Sequence, residues 1–230
     1  MRLPKLRVPD GTIEALKWLA MILMLLDHTN KYFYAEKLPY IFNVARLSMP
    51  LFVFVLAYNL ARPGTLENGG YHRTMKRLLI FGALATPAYI GLGVIFAGWW
   101  PLNIMFALLV ITLTIYMLEQ RTISGYTIAL LVFLAGGSSV EFWWPAIILG
   151  MAVWWYCKTP SLMSLILALI ALASTRFING NYWAIAFIPV VIGACFVNIP
   201  MPRYQWVFYL FYPFHLSVLW VLIKFGPELI

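Results

Sequence analysis

The feature that most constrains this chain is a succession of apolar runs, each about as long as a lipid bilayer is thick. A hydrocarbon core of about 30 Å needs roughly 20 residues of helix. Between breakers, such runs fall at approximately 13–34, 39–61, 77–97, 101–118, 124–137, 142–157, 160–175, 181–198 and 204–225. The fifth, sixth and seventh are short, as expected of tilted helices or helices sunk into a bundle. Lipid offers no water to a bare backbone, so each run must close its own hydrogen bonds as a helix. The expected fold is all-α: a polytopic transmembrane helix bundle of about nine (8–10) membrane helices, forming one integral membrane domain over residues 1–230. Composition excludes the soluble alternative. The chain is 63% hydrophobic and 10% charged, against about 25% charged in a typical soluble domain. A water-facing surface could not be made from so few polar residues.

The breakers set the expected turns. Lys37-Leu38-Pro39 ends one, and Arg62-Pro63-Gly64 opens the longest loop, which runs to Tyr71-His72-Arg73. Trp99-Trp100-Pro101 makes a tight turn with interfacial aromatics. Gly136-Gly137-Ser138-Ser139 and Pro200-Met201-Pro202 make two more. Lys76-Arg77 is expected to start the third helix. No internal repeat or inverted pair of broken helices of the transporter kind is visible.

The net charge of +8 would suit nucleic acid if the basic residues clustered among aromatics outside the apolar runs. They do not; they lie in the short segments between runs, as the positive-inside rule requires. With the N-terminus in the cytoplasm, the cytoplasmic segments hold Arg2, Lys5, Arg7, Arg62, Arg73, Lys76, Arg77, Arg121, Lys158 and Arg203. The outer segments hold only Lys31, Lys37, Arg176 and Lys224, while Lys17 and Arg46 lie inside helices. This is the pattern of a multi-pass protein of a bacterial inner membrane. Cys157 and Cys195 fall near cytoplasmic helix ends, where thiols stay reduced, and no Cys/His spacing suits a metal. Met1 to Gly11 is basic, but the following run is too long for a signal-peptide core and contains Lys17, Asp27 and His28; a retained helix is expected.

Ionisable groups inside membrane helices cost about 2.5–3.5 kcal/mol each on insertion scales, so each needs a partner or a function. Lys17 and His28 are eleven residues apart, about three turns, and share one face roughly 16 Å apart along the axis. Asp27 points about 100° away from His28 and is a poor partner for it. A base on another helix fits better: Arg46 first, Arg77 second. The bland alternative leaves Asp27 and His28 solvated at the outer interface, since Asn30 and Lys31 follow directly. His215 follows Pro213, which removes a backbone donor and favours a kink. It is either a core histidine satisfied by a backbone carbonyl or a catalytic one. Asn59 and Asn103 are either glue between helices or pocket lining. Glu141 reads as an outer turn acid. The Arg73, Lys76 and Arg77 group suits phosphates as well as ordinary topology.

Five ordered stretches carry a family resemblance. They are Met21-Ile22-Leu23-Met24-Leu25-Leu26-Asp27-His28-Thr29-Asn30, Arg46-Leu47-Ser48-Met49-Pro50-Leu51-Phe52-Val53-Phe54, Lys76-Arg77-Leu78, Asn103-Ile104-Met105-Phe106, and Phe208-Tyr209-Leu210-Phe211-Tyr212-Pro213-Phe214-His215-Leu216. Together they resemble TraX, the family of membrane acetylases of F-type conjugative pilins. More distantly, Lys17 and His28 keep a base-to-histidine spacing similar to that of transmembrane acyltransferases. The resemblance implies an acetyl-CoA-dependent acetyltransferase that uses no metal. Its donor would be cytoplasmic acetyl-CoA and its acceptor the N-terminal amine of a pilin subunit on the outer side. It also implies roles: His28, Asp27 and His215 catalytic; Lys17, Arg46, Arg73, Lys76, Arg77, Asn103 and Tyr212 in substrate or cofactor binding. The CoA phosphates would meet Arg73, Lys76 and Arg77, and the thioester would meet His28. Two other readings remain open at this stage: acylation of a cell-surface glycan or lipid, and a small transporter or assembly factor.

Overall fold

A computed structural model describes residues 3–93 and 96–226; Arg2 lies outside the described residues. The described chain is helical, with no β-strand. It divides into two compact units, each made of two stretches of chain. The first unit takes residues 1–68 and 145–204, the second residues 69–144 and 205–230.

In the first unit, α1 (Asp10–Tyr34) begins with an acidic residue in its first turn, where the helix dipole favours negative charge. It ends where Ala35 and Glu36 take left-handed backbone conformations. The following α2 (Pro39–Ala45) and α3 (Ser48–Leu60) divide what reads in sequence as one continuous run. The break falls at Arg46 and Leu47, where the charged Arg46 is its one mark in an otherwise apolar run. The Tyr58 hydroxyl, near the end of α3, bonds both the N–H and the carbonyl of Val8 (3.0 and 3.2 Å), and Ser48 Oγ donates to Ala20 O at 2.8 Å. α1 and α3 are therefore antiparallel. Of α8 (Trp143–Lys158), residues 145–158 belong to this unit, with α9 (Leu162–Ser174), α10 (Arg176–Asn179), a 3-10 turn (Trp183–Ala186) and α11 (Phe187–Ala194). Phe187 meets Phe54 edge-on at 5.7 Å, joining α11 to α3. The segment after α11 crosses the start of α1: Thr12 Oγ1 donates to Val197 O at 2.7 Å and accepts from Ile199 N at 3.1 Å. Gly11 allows this crossing, because a Cβ there would overlap the Ile199 carbonyl.

In the second unit, α4 (Gly70–Gly91) packs against α5 (Ile104–Glu119) and α12 (Gln205–Phe225). Tyr71 lies 5.8 Å from Tyr116, so α5 runs antiparallel to α4. Arg77 lies over Trp206 and Gly91 against Trp220, so α12 runs parallel to α4. The start of α4 corrects the sequence reading. Lys76 and Arg77 are not at a helix start but about two turns in, because the basic residues mark where the apolar run begins rather than where the helix begins. The fifth run also differs. α6 (Ile123–Leu131) continues through a π-helical turn (Val132–Gly136) into α7 (Gly137–Ser139), so the glycines are helical and the chain turns only at Val140. The Trp99-Trp100-Pro101 turn is present, with Phe96 N donating to Trp100 O at 2.8 Å.

Among the described residues, three helical spans are long and apolar enough to cross a bilayer: Pro39–Leu60 (α2 with α3), Leu162–Asn179 (α9 with α10) and Gln205–Phe225. The count of nine spans is not reached on this criterion. Ile104–Glu119, Ile123–Ser139 and Trp183–Ala194 are shorter, and α1 carries Asp10, Glu14, Lys17, Asp27 and Lys31. Large apolar side chains such as Ile22, Leu84, Leu131, Ile170 and Leu210 face outward, as befits a membrane protein.

Candidate functional site

The first unit brings Asp27 and Arg46 together as an ion pair. Arg46 stands at the α2–α3 break. Its Nε donates to Phe42 O at 3.0 Å and its guanidinium lies 4.3 Å from the centre of the Phe42 ring. The carbonyl and the ring of Phe42 therefore hold the guanidinium against the Asp27 carboxylate. Arg46, the first candidate from helix geometry, is the partner of Asp27.

His28 follows Asp27 on α1, half-buried, with its ring centre 6.0 Å from that of Tyr32, one turn on. The α1–α2 turn beyond it is closed by Asn30. This side chain is buried; it donates to Leu38 O at 3.2 Å and accepts from Leu38 N at 3.1 Å. One amide thus satisfies both backbone groups of a single residue. The sequence reading noted Asn30 only as a sign of the interface and missed this tie.

At the other end of α1, Lys17 donates to Glu14 Oε1 at 2.5 Å, and Arg203 Nε stands 3.8 Å from the same oxygen. Glu14 is 4% exposed. The sequence reading singled out Lys17 for its spacing to His28 and passed over Glu14. The i,i+3 spacing was the available signal, since residues so placed on a helix touch. Asp10, at the start of α1, pairs with Arg62, beyond the end of α3, at 2.6 Å. Within this unit the residues expected on the cytoplasmic side, Arg62 and Arg203, gather at the start of α1, while the Asp27–Arg46 pair lies toward its end.

The second unit holds His215, Tyr212, Asn103 and the basic residues Arg73, Lys76 and Arg77 of α4. His215 Nδ1 lies 2.9 Å from Phe211 O. A carbonyl only accepts, so Nδ1 carries the proton there. This is the backbone contact that the core-histidine alternative called for. The ring stacks on Phe211 at 4.8 Å and meets the buried Tyr212 edge-on at 5.5 Å. Asn103, fully buried, caps α5 by accepting from Met105 N at 3.1 Å. It also donates to Gly82 O at 3.0 Å and Thr86 Oγ1 at 3.3 Å on α4. Both ends of its amide are used within the protein, which accounts for Asn103 as glue and cap without a ligand. Asn59 likewise donates to Val55 O, one turn back. Arg73 and Lys76 are exposed and Arg77 is half-buried. Glu141 follows the Val140 turn, its N–H donating to Leu102 O at 2.8 Å.

Chemically, the first unit offers an imidazole beside a carboxylate already committed to an arginine. The histidine can exchange a proton or attack a carbonyl carbon, while Asp27 is held in a structural pair. Comparison with known proteins adds one finding. A family model described as TraX protein matches residues 12–223. No curated protein and no solved structure matches the chain.

Proposed function

The chain belongs to the TraX family, and from that premise we propose that it is a membrane-embedded acetyltransferase of the bacterial inner membrane. In this reading it moves acetyl from cytoplasmic acetyl-CoA to the N-terminal α-amine of a conjugative pilin subunit on the outer side, with both units serving as one functional domain. The observation that carries the reading is the Asp27–Arg46 pair. It occupies Asp27 and fixes the helix turn that presents His28, so His28 is the group assigned to the chemistry.

An α-amine has a pKa near 8, so near neutral pH it needs only modest help from a base. His28 takes the ammonium proton; the freed amine attacks the thioester carbonyl; the C–S bond breaks and CoA leaves as its thiol. A histidine in this place can also carry the acetyl group transiently. Arg73, Lys76 and Arg77 are assigned to the CoA phosphates, Lys17 to substrate binding beside Glu14, and His215 with Tyr212 to support of the acceptor side.

The test is co-expression with a cognate pilin and measurement of the intact pilin mass. One added acetyl group that depends on His28 is expected. His28→Ala should abolish it while the protein still inserts; retained acetylation in that variant would remove His28 from the mechanism. An unchanged pilin mass under good expression would transfer the reading to a surface glycan or lipid acceptor, or to transport.

A further inference from the structure

Arg77 is not a free surface cation. Its guanidinium lies 4.6 Å from the centre of the Trp206 ring and 5.6 Å from that of Tyr209, both on α12. Its Nη1 donates to Gln205 Oε1 at 3.5 Å. Phe81, one turn further along α4, backs the same two rings, edge-on to Trp206 at 6.4 Å and tilted against Tyr209 at 5.8 Å. A guanidinium resting on aromatic faces keeps its fork of donors in a fixed plane. Arg73 lies one turn earlier on α4 and Lys76 beside Arg77, both exposed. Trp206 is 55% exposed although it carries Arg77, so indole surface stays open.

Two chemistries meet here: three cations within five residues of α4, and an open aromatic ring from α12. A phosphate alone would use only the cations. A hydrocarbon chain would use only the ring. A nucleotide bearing several phosphates uses both, because bases stack on aromatic faces and phosphates pair with the arginine fork.

We propose that Arg73, Lys76, Arg77 and Trp206 form the seat for the adenosine 3′-phosphate 5′-diphosphate portion of CoA. The base stacks on the open surface of Trp206, and Tyr209 and Gln205 are positioning residues that hold Arg77. The assignment rests on the acetyl-CoA reading above and extends it to α12, which that reading leaves without a part in donor binding. An anionic lipid headgroup would meet the same cations but offers no base to stack.

The test uses the full protein reconstituted in lipid, with three probes: acetyl-CoA, acetyl-pantetheine, which lacks the nucleotide, and adenosine 3′,5′-bisphosphate as a direct binding ligand. Trp206→Ala is expected to raise the KM for acetyl-CoA about tenfold and to weaken bisphosphate binding by a similar factor. Acetyl-pantetheine should not register the change, and Trp206→Phe, which keeps a ring, should restore most of the loss. Equal effects on both donors, or none on either, overturn the proposal. So does a variant that keeps bisphosphate binding and loses only its preference for anionic lipid, since the ring is then a lipid anchor. Trp206-dependent bisphosphate binding without acetyl transfer would sustain this site and sink the acetyltransferase reading. Acetyl transfer with no Trp206-dependent binding would sink this site alone.

Discussion

At the scale of single residues, Asp27, Glu14 and Lys17 of α1 are each held in an ion pair, and the spacing of a helix makes both pairs legible in the sequence. Asp27 and His28 are adjacent in sequence, yet the 100° step of a helix sends them in different directions, and that step directed Asp27 to Arg46. The ion pair makes a testable cycle. Removing one partner of this half-buried pair strands a charge, which costs about 1–3 kcal/mol, between the exposed and the fully buried cases. Asp27→Ala and Arg46→Ala should each lower the unfolding midpoint of the detergent-solubilised protein more than the double variant does. If the two single effects simply add in the double, the pair contributes no coupling and the arrangement at the break is held by something else. The Glu14–Lys17 contact was equally legible, since i,i+3 neighbours touch, but the longer spacing from Lys17 to His28 drew the reading away from it. Asn30 and Asn103 were not legible in this sense. An asparagine that closes a turn and one that lines a pocket look the same in sequence; only the backbone groups brought opposite them decide.

At the scale of elements, apolar runs found the helices and misjudged their ends. A run records where side chains prefer lipid, whereas a helix ends where its backbone hydrogen bonds do. Hence α4 begins at Gly70, well before its apolar face, and the glycines of the fifth run continue the helix through a π turn. The α2–α3 break is invisible to hydropathy because both halves are apolar; a charged Arg46 within the run was its one mark. Close approach of elements rests on small residues whose worth depends on what they face. Gly11→Ala would drive a Cβ into the backbone of Ile199 and Met201 and should destabilise by about 2 kcal/mol. Gly193→Ala, in α11 with nothing within 4 Å of the added Cβ, should be neutral or stabilise by up to about 1 kcal/mol. Thermal unfolding of the two variants checks the contrast, and an equal loss in both would show that the crossing at Gly11 is not close.

At the scale of the whole molecule, each unit taken by itself gathers basic residues at one end. Arg62, Arg203 and the start of α1 share one end of the first unit; Arg77, two turns into α4, and the start of α12 share one end of the second. In the proposed topology the basic end of the first unit is cytoplasmic, which turns the α1–α2 connection outward. In a background where Cys157 and Cys195 are replaced by serine, Lys37→Cys should react with a membrane-impermeant thiol reagent added to intact cells. Glu67→Cys, in the loop before α4, should react only after the membrane is opened. The reverse result would invert the topology and with it the side on which an acceptor meets His28.

The division of the chain also bears on how the molecule is made. Each unit is assembled from an early stretch and a late one, residues 1–68 with 145–204 and residues 69–144 with 205–230. A ribosome that has released the first 144 residues has therefore delivered the opening piece of both units and the whole of neither. The early helices must wait in the lipid as unfinished halves, and the start of α1, whose Thr12 bonds Val197 and Ile199 some 185 and 187 residues later, waits longest. Neither unit can close its packing until the late stretch of the chain has been made.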